Sequence, residues 1–189
     1  MGAAASRPIA KDTIVPMVQQ ASIHASAVLI GARAALIRGP AGSGKSRLVL
    51  ALIDAGRAGL LPFARLVADD RAYVTAANGR LLVRPVDKLA GLIEVRGLGL
   101  RRLPFERVAV VGAVIDLGAA DADRLPRSGT AVIDGIALPR LAVGADPFPA
   151  VLAMVATADA GLRELPESGR HISEGLFGEL LRKSWLTAI

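Results

Sequence analysis

The stretch Gly39-Pro40-Ala41-Gly42-Ser43-Gly44-Lys45-Ser46 matches the pattern G-x-x-x-x-G-K-[ST] at every fixed position. The residue types have a shared chemical purpose. Gly39, Gly42 and Gly44 can take backbone angles closed to other residues, so successive N–H groups can converge on one set of phosphate oxygens. Lys45 adds a mobile positive charge for β- and γ-phosphates, and the Ser46 hydroxyl can ligate Mg²⁺. Apolar Ala34 to Ile37 before the stretch reads as a short strand, and Leu48 to Ile53 after it as a helix. Strand, glycine-rich loop and helix in that order predict binding of a nucleoside triphosphate or a related phosphate.

The chain has 189 residues, enough for one domain that buries most of the surface its unfolded form would expose. Aromatic residues are scarce, so the core must come from Leu, Val, Ile and Ala. The net charge of +6 comes from scattered arginines without interleaved aromatics. That pattern suits solubility and anionic ligands, and it is not a nucleic-acid footprint. With no cysteine, disulfides and thiolate metal sites are excluded, which fits a reducing cytoplasm. No apolar run reaches the roughly eighteen residues of a membrane span. Met1 to Ser6 fits the myristoylation pattern M-G-x-x-x-[ST], but it also reads as a tail of small residues, and no signal peptide is evident.

Residues 1–20 read as a flexible lead-in, 21–158 as one domain and 159–189 as a C-terminal extension. Ala27 to Ile30 and Ala34 to Ile37 suggest a hairpin leading into the glycine-rich loop. A helix is expected from Lys45 to near Gly56, then a loop to Pro62 and a brief strand, Leu66 to Ala68. Asn78-Gly79 and Asp134-Gly135 sit between apolar runs and signal two more hairpins. Between them, Leu92 to Leu100 carries two glycines around one leucine, which argues against a regular helix or strand. Val108 to Ile115 reads as a strand buried on both faces. Phe148 to Ala156 reads as a helix, as does Ser173 to Leu186, whose Leu176, Phe177, Leu180 and Leu181 share one face. Short hairpins favour an α/β fold with a mixed sheet over repeated βαβ units.

Other candidate residues surround the loop in sequence. Asp69-Asp70 closes a short apolar strand, where carboxylates can hold Mg²⁺ or take a proton from an attacking hydroxyl; capping a solvated turn is the bland alternative. His24 precedes the first hairpin and can shuttle a proton near neutral pH, while a packed or surface imidazole is the ordinary case. Glu94 and Arg96 lie on the glycine-broken segment, where charged side chains can reach a ligand, or simply pair in solvent. Arg96, Arg101 and Arg102 could dock an acidic or phosphorylated partner or form a solvated face. His171, in a polar stretch between glycines, has no assigned role.

In this order the pieces resemble the catalytic domain of the HPr kinase/phosphorylase family. That family phosphorylates a serine of the phosphocarrier protein HPr, and many members reverse the reaction with inorganic phosphate. Its pattern is a histidine before a strand pair, a phosphate loop, an Asp-Asp pair and an E-[IV]-R-G-[LI]-G signature. Here these are His24, Gly39 to Ser46, Leu66-Val67-Ala68-Asp69-Asp70 and Glu94-Val95-Arg96-Gly97-Leu98-Gly99. The resemblance implies that the loop and Lys45 hold ATP, and that Ser46 with an aspartate, taken as Asp70, serves Mg²⁺. Asp69 or Asp70 would be the base, tuned by His24, with Glu94 and Arg96 in the substrate-side signature. It further implies a phosphoenolpyruvate carboxykinase-like P-loop core, a hexamer, and a cytoplasmic role in a bacterial phosphotransferase system without nucleic acid or membrane. The chain looks like a short, catalytic-domain-only form. It departs from the pattern at Arg47, where many members are acidic, and at Val143 to Phe148, which lacks a Gly-Arg pair found in long members. Two other readings are a nucleotide-binding regulatory module that has lost catalysis and a small-molecule P-loop kinase.

Overall fold

The computed structural model describes residues 21–122, 129–144 and 146–159. The expected lead-in 1–20, the helix Ser173 to Leu186 and His171 lie outside the described residues. Among the described residues ten strands and two α-helices follow in order: β1 Ile23–Ile30, β2 Arg33–Arg38, α1 Lys45–Arg57, β3 Ala64–Ala68, β4 Arg71–Ala77 and β5 Arg80–Pro85. After a 3₁₀ turn at Asp87–Leu89 come β6 Leu92–Val95, β7 Gly99–Arg102, β8 Ala109–Leu117, β9 Gly129–Ile133, β10 Ile136–Val143 and α2 Phe148–Asp159.

The architecture is a mixed, strand-rich α/β arrangement. β2 lies parallel to β8, and β8 parallel to β10, while the other named pairings are antiparallel. β1 pairs with β2 and β4, β4 with β5, β5 with β8, and β8 with β2, so five strands close a circuit. The β2–β8 ladder shifts register at Gly112, the residue skipped between Val111 and Ala113 in the pairing with β2. A side chain there would meet the Arg33 Cβ at 2.7 Å, so glycine is what fits.

The alternation along β2 separates two cores. Ala35 and Ile37 pack with Leu48, Val49 and Leu52 of α1. Ala34 and Leu36 pack with Val74, Leu81 and Val83 of β4 and β5. β8 is likewise covered on both faces, with Val111 and Val114 in one core and Ile115 and Leu117 in the other. Val108 falls outside that strand and is exposed.

The two Asx-Gly hairpins form, with Asn78 and Asp134 at positive φ (49° and 48°) followed by Gly79 and Gly135, as type I′ turns require. One expectation is corrected. Leu92 to Leu100 does contain strands: β6 and β7 form a two-stranded antiparallel hairpin from Leu92 paired with Arg102 to Val95 paired with Gly99. Gly97 turns the chain (φ 81°), and the Leu98 N–H closes onto the Val95 carbonyl at 2.9 Å. The glycines direct the strands instead of breaking them.

Leu52 is fully buried between α1 and the sheet. Leu52→Ala is expected to lower stability by about 2–5 kcal/mol, from lost transfer energy and a residual cavity. Urea unfolding with an unchanged midpoint would show that α1 does not carry this core.

Candidate functional site

The Gly39–Ser46 loop joins β2 directly to α1. Gly39, Gly42 and Gly44 all have positive φ (149°, 77° and 93°), so the glycines carry the curvature that other residues resist. A Cβ at Gly39 would lie 2.7 Å from Ser43 Oγ and 2.8 Å from the Leu117 carbonyl oxygen. The loop therefore sits flush on the end of β8. The Lys45 ammonium is buried and donates to the carbonyls of Gly39 (2.9 Å) and Pro40 (3.0 Å). Burial lowers its pKa from the usual lysine range, and the nearby Asp70 and Asp69 charges oppose that shift.

The two aspartates divide. Asp69 is buried, and its carboxylate collects donors from three elements: Ser26 Oγ of β1 at 2.6 Å, Ser46 Oγ of α1 at 2.8 Å, and the Glu94 backbone N–H of β6 at 3.2 Å. A buried carboxylate needs such partners, because its desolvation is otherwise unfavourable by several kcal/mol. Asp70 points outward, with its side chain 68% exposed and Oδ1 3.4 Å from His24 Nε2. Pairing of His24 with Arg71 across β1 and β4 puts the imidazole beside it. Asp70 has φ 62°, and the Arg71 N–H closes back onto the Asp69 carbonyl at 2.7 Å. That three-residue turn, rare for a non-glycine centre, separates the two side chains.

Sequence-predicted residues thus converge: His24, the loop, Lys45, Ser46, Asp69 and Asp70 form one cluster. The carboxylate beside Ser46 is Asp69, whereas the sequence pairing placed Asp70 there. Glu94 stands on strand β6 with an exposed side chain, and its contribution to the cluster is its backbone N–H. Arg96 is exposed in the β6–β7 turn, and Arg47 is exposed on the first turn of α1.

Sequence reasoning missed Ser26 and a second, charged cluster. Asp116 of β8 accepts both Arg38 Nε and Nη2 at 2.7 Å and Arg140 Nε at 2.6 Å. Arg140 also reaches Asp121 at 2.6 Å. Partial burial alone would raise the Asp116 pKa, but the two guanidiniums outweigh it and hold the carboxyl below its ordinary range. Arg140 is shifted upward by the same contacts. The available signal was a lone polar residue inside an apolar run: Ser26 within Ala25 to Ile30, Asp116 within Ala109 to Leu117.

The donor set also decides what could bind. Ser43 Oγ is buried in the loop with no partner, and the loop's glycines present backbone to any anion, so a phosphate fits. The Ser46 hydroxyl with the Asp69 carboxylate is an all-oxygen pair suited to Mg²⁺, which takes few protein ligands and completes its shell with phosphate and water. Among the described residues no group of three His, Cys, Asp or Glu forms a self-sufficient metal cage.

No family model matches the chain. A curated HPr kinase/phosphorylase from Clostridium beijerinckii is 34% identical over 95 residues, covering 49% of this chain and 29% of that protein. One from Lactobacillus delbrueckii subsp. bulgaricus is 30% identical over 103 residues, 54% of this chain and 30% of its own length. The solved HPr(Ser) kinase/phosphatase from Coxiella burnetii superposes with a TM-score of 0.62 at 26% identity, covering 75% of this chain and 97% of that one. In sequence and in fold the chain is similar to HPr kinase/phosphorylases. Its matches span less than a third of the length of the two curated HPr kinase/phosphorylases, while the Coxiella kinase/phosphatase chain is matched almost throughout. No helix among the described residues is long and apolar enough to cross a membrane.

Ser26→Ala leaves the buried Asp69 carboxylate one donor short. The expected cost is about 1–3 kcal/mol of stability. An unfolding midpoint equal to wild type would show that Asp69 is satisfied without Ser26.

Proposed function

We propose that this chain is an ATP- and Mg²⁺-dependent serine kinase acting on the phosphocarrier protein HPr. The observation that carries the reading is the division of the aspartate pair beside a phosphate-type loop: one carboxylate tied to Ser46, the other free beside an imidazole. In the proposal, the core is a P-loop of the phosphoenolpyruvate carboxykinase-like kind. The amides of Gly42 to Ser46 and the Lys45 ammonium hold the β- and γ-phosphates of ATP. Ser46 and Asp69 would hold Mg²⁺, which supplies neutralisation of the phosphate charge. Residues 21–158 would form the catalytic unit, working in the cytoplasm as part of a homo-oligomer, a hexamer by family likeness.

The chain's own residues then account for the remaining steps. Asp70 accepts the proton of the HPr serine hydroxyl as its oxygen attacks the γ-phosphorus, and the bond to the bridging oxygen of ADP breaks. His24, at 3.4 Å, orients that carboxylate. Lys45 leaves the Gly39 and Pro40 carbonyls for the phosphates, which replace two neutral acceptors with anionic ones. Running backwards, protonated Asp70 would return the proton to serine as inorganic phosphate attacks phosphoserine. Without the Gly-Arg pair of long relatives, this reverse reaction is expected to be the weaker one.

Incubation with γ-labelled ATP, Mg²⁺ and purified HPr should yield phosphoserine-HPr; its absence, with ATP still bound, would leave a regulatory nucleotide-binding module. Lys45→Ala should lose ATP binding in calorimetry while remaining folded. Asp70→Asn should lower kcat by about two to four orders of magnitude with little change in KM, the signature of a lost base. Normal turnover by Asp70→Asn would remove this carboxylate from the mechanism.

A further inference from the structure

We propose that Asp116 is a positioning residue for the phosphate loop, acting through Arg38. The loop's first residue, Gly39, directly follows Arg38, and Arg38 stands opposite Asp116 in the parallel ladder of β2 and β8. The contact is bidentate, with Nε and Nη2 each 2.7 Å from a different carboxylate oxygen, so the guanidinium cannot swing about a single bond. The Asp116 side chain is only 14% exposed, which keeps water from competing for it.

A second contact comes from the next residue along β8. The Leu117 carbonyl lies where a side chain on Gly39 would go, so the main chain of β8 forms the seat on which the loop begins. Asp116 therefore fixes the residue before Gly39 while Leu117 abuts Gly39 itself. Gly39 in turn offers the carbonyl that receives Lys45 Nζ. Position passes from Asp116 to Arg38, to the Gly39 peptide, to the lysine that would neutralise phosphate.

Arg140 holds Asp116 from the far side. Its Nε contacts Asp116 at 2.6 Å and its Nη1 contacts Asp121 at 2.6 Å, so β10 and the segment after β8 brace the same carboxylate. The cluster joins β2, β8 and β10, the three mutually parallel strands, at the carboxyl edge where an open α/β sheet takes its ligands. It lies on the face of β2 opposite α1, so it acts on the loop from the side that Lys45 and Ser46 do not reach.

This inference rests on the nucleotide reading above, and its test separates the two. Asp116→Asn, Arg38→Gln and the double variant are compared with wild type for MgATP affinity by calorimetry, at a temperature where unfolding curves show all four folded. Each single variant should weaken MgATP by about tenfold, and the double should be no worse than Asp116→Asn, because that change already removes the Arg38 contact. Asp116→Glu should recover part of the affinity. Unchanged or tighter binding in Asp116→Asn, or additive losses in the double, would overturn the proposal; tighter binding would mean Asp116 holds Arg38 away from the phosphates. Amide hydrogen exchange of Gly42 to Ser46 supplies a readout without nucleotide. Faster exchange in both single variants is expected even if wild type binds no MgATP, in which case the positioning role stands and the nucleotide reading falls. Wild-type exchange rates in both variants would sink the positioning role itself.

Discussion

The buried carboxylate of Asp69 is the constraint on which the site depends. Its donors come from residues 43, 23 and 25 positions away, on β1, α1 and β6. None can satisfy it alone, and burial without them is unfavourable by several kcal/mol. Docking α1, seating the β6–β7 hairpin and aligning β1 with the end of β3 are thereby linked to one charged group. The same group fixes the Ser46 hydroxyl at the first turn of the helix. Stability and the geometry of the candidate site draw on the same hydrogen bonds.

The sheet around Asp69 is enclosed on the side opposite the helix. β4 and β5 fold over that face and close the circuit through β1 and β8. Small side chains permit this: Ala25, Ala27, Ala34, Ala72 and Ala109 all lie in the enclosed core. Larger residues there would push the strands apart, whereas the α1 side takes Leu48, Leu52, Ile37 and Ile115. A charged cluster then finishes the enclosed face at the carboxyl edge, where Arg38 and Arg140 meet Asp116.

What could be read in the sequence was local. The glycine-rich loop, both Asx-Gly hairpins and the start of α1 depend on adjacent residues, and they appear where their motifs stand. Leu92 to Leu100 was opaque because a glycine at a hairpin turn and one that breaks a strand look alike without the partner strand. The division of labour between Asp69 and Asp70 was not legible either, since adjacent identical residues differ only in what the tertiary fold brings to them. Ser26 and Asp116 had a faint signal as polar residues in apolar strands. Their partners, Asp69 and Arg38, lie 43 and 78 residues away, and pattern reading has no access to such distances.

The ladder along β1 explains why the aspartate pair splits. Ala27 pairs with Ala68 of β3, and His24 pairs with Arg71 of β4, on the same edge of β1. Three residues back along β1 match three residues forward along the other chain, so Ala68 and Arg71 keep one register, which follows a one-residue shift at Val67, skipped between the Ala27–Ala68 and Val28–Leu66 pairs. Asp69-Asp70 interrupts the ladder between Ala68 and Arg71. In an unbroken ladder these residues would stand opposite Ser26 and Ala25, which is why Ser26 reaches Asp69. Instead the Arg71 N–H turns back to the Asp69 carbonyl, and Asp70 takes a positive φ that most side chains avoid. Such backbone strain is unfavourable by about 1–3 kcal/mol and persists only where surrounding contacts enforce it. Here they are the three donors holding Asp69 on one side and the resumed β1–β4 pairing on the other. With both flanks fixed, the one residue between them is lifted out of the sheet toward solvent and His24. The turn thereby keeps one carboxylate as a buried anchor and presents the other to solvent beside His24.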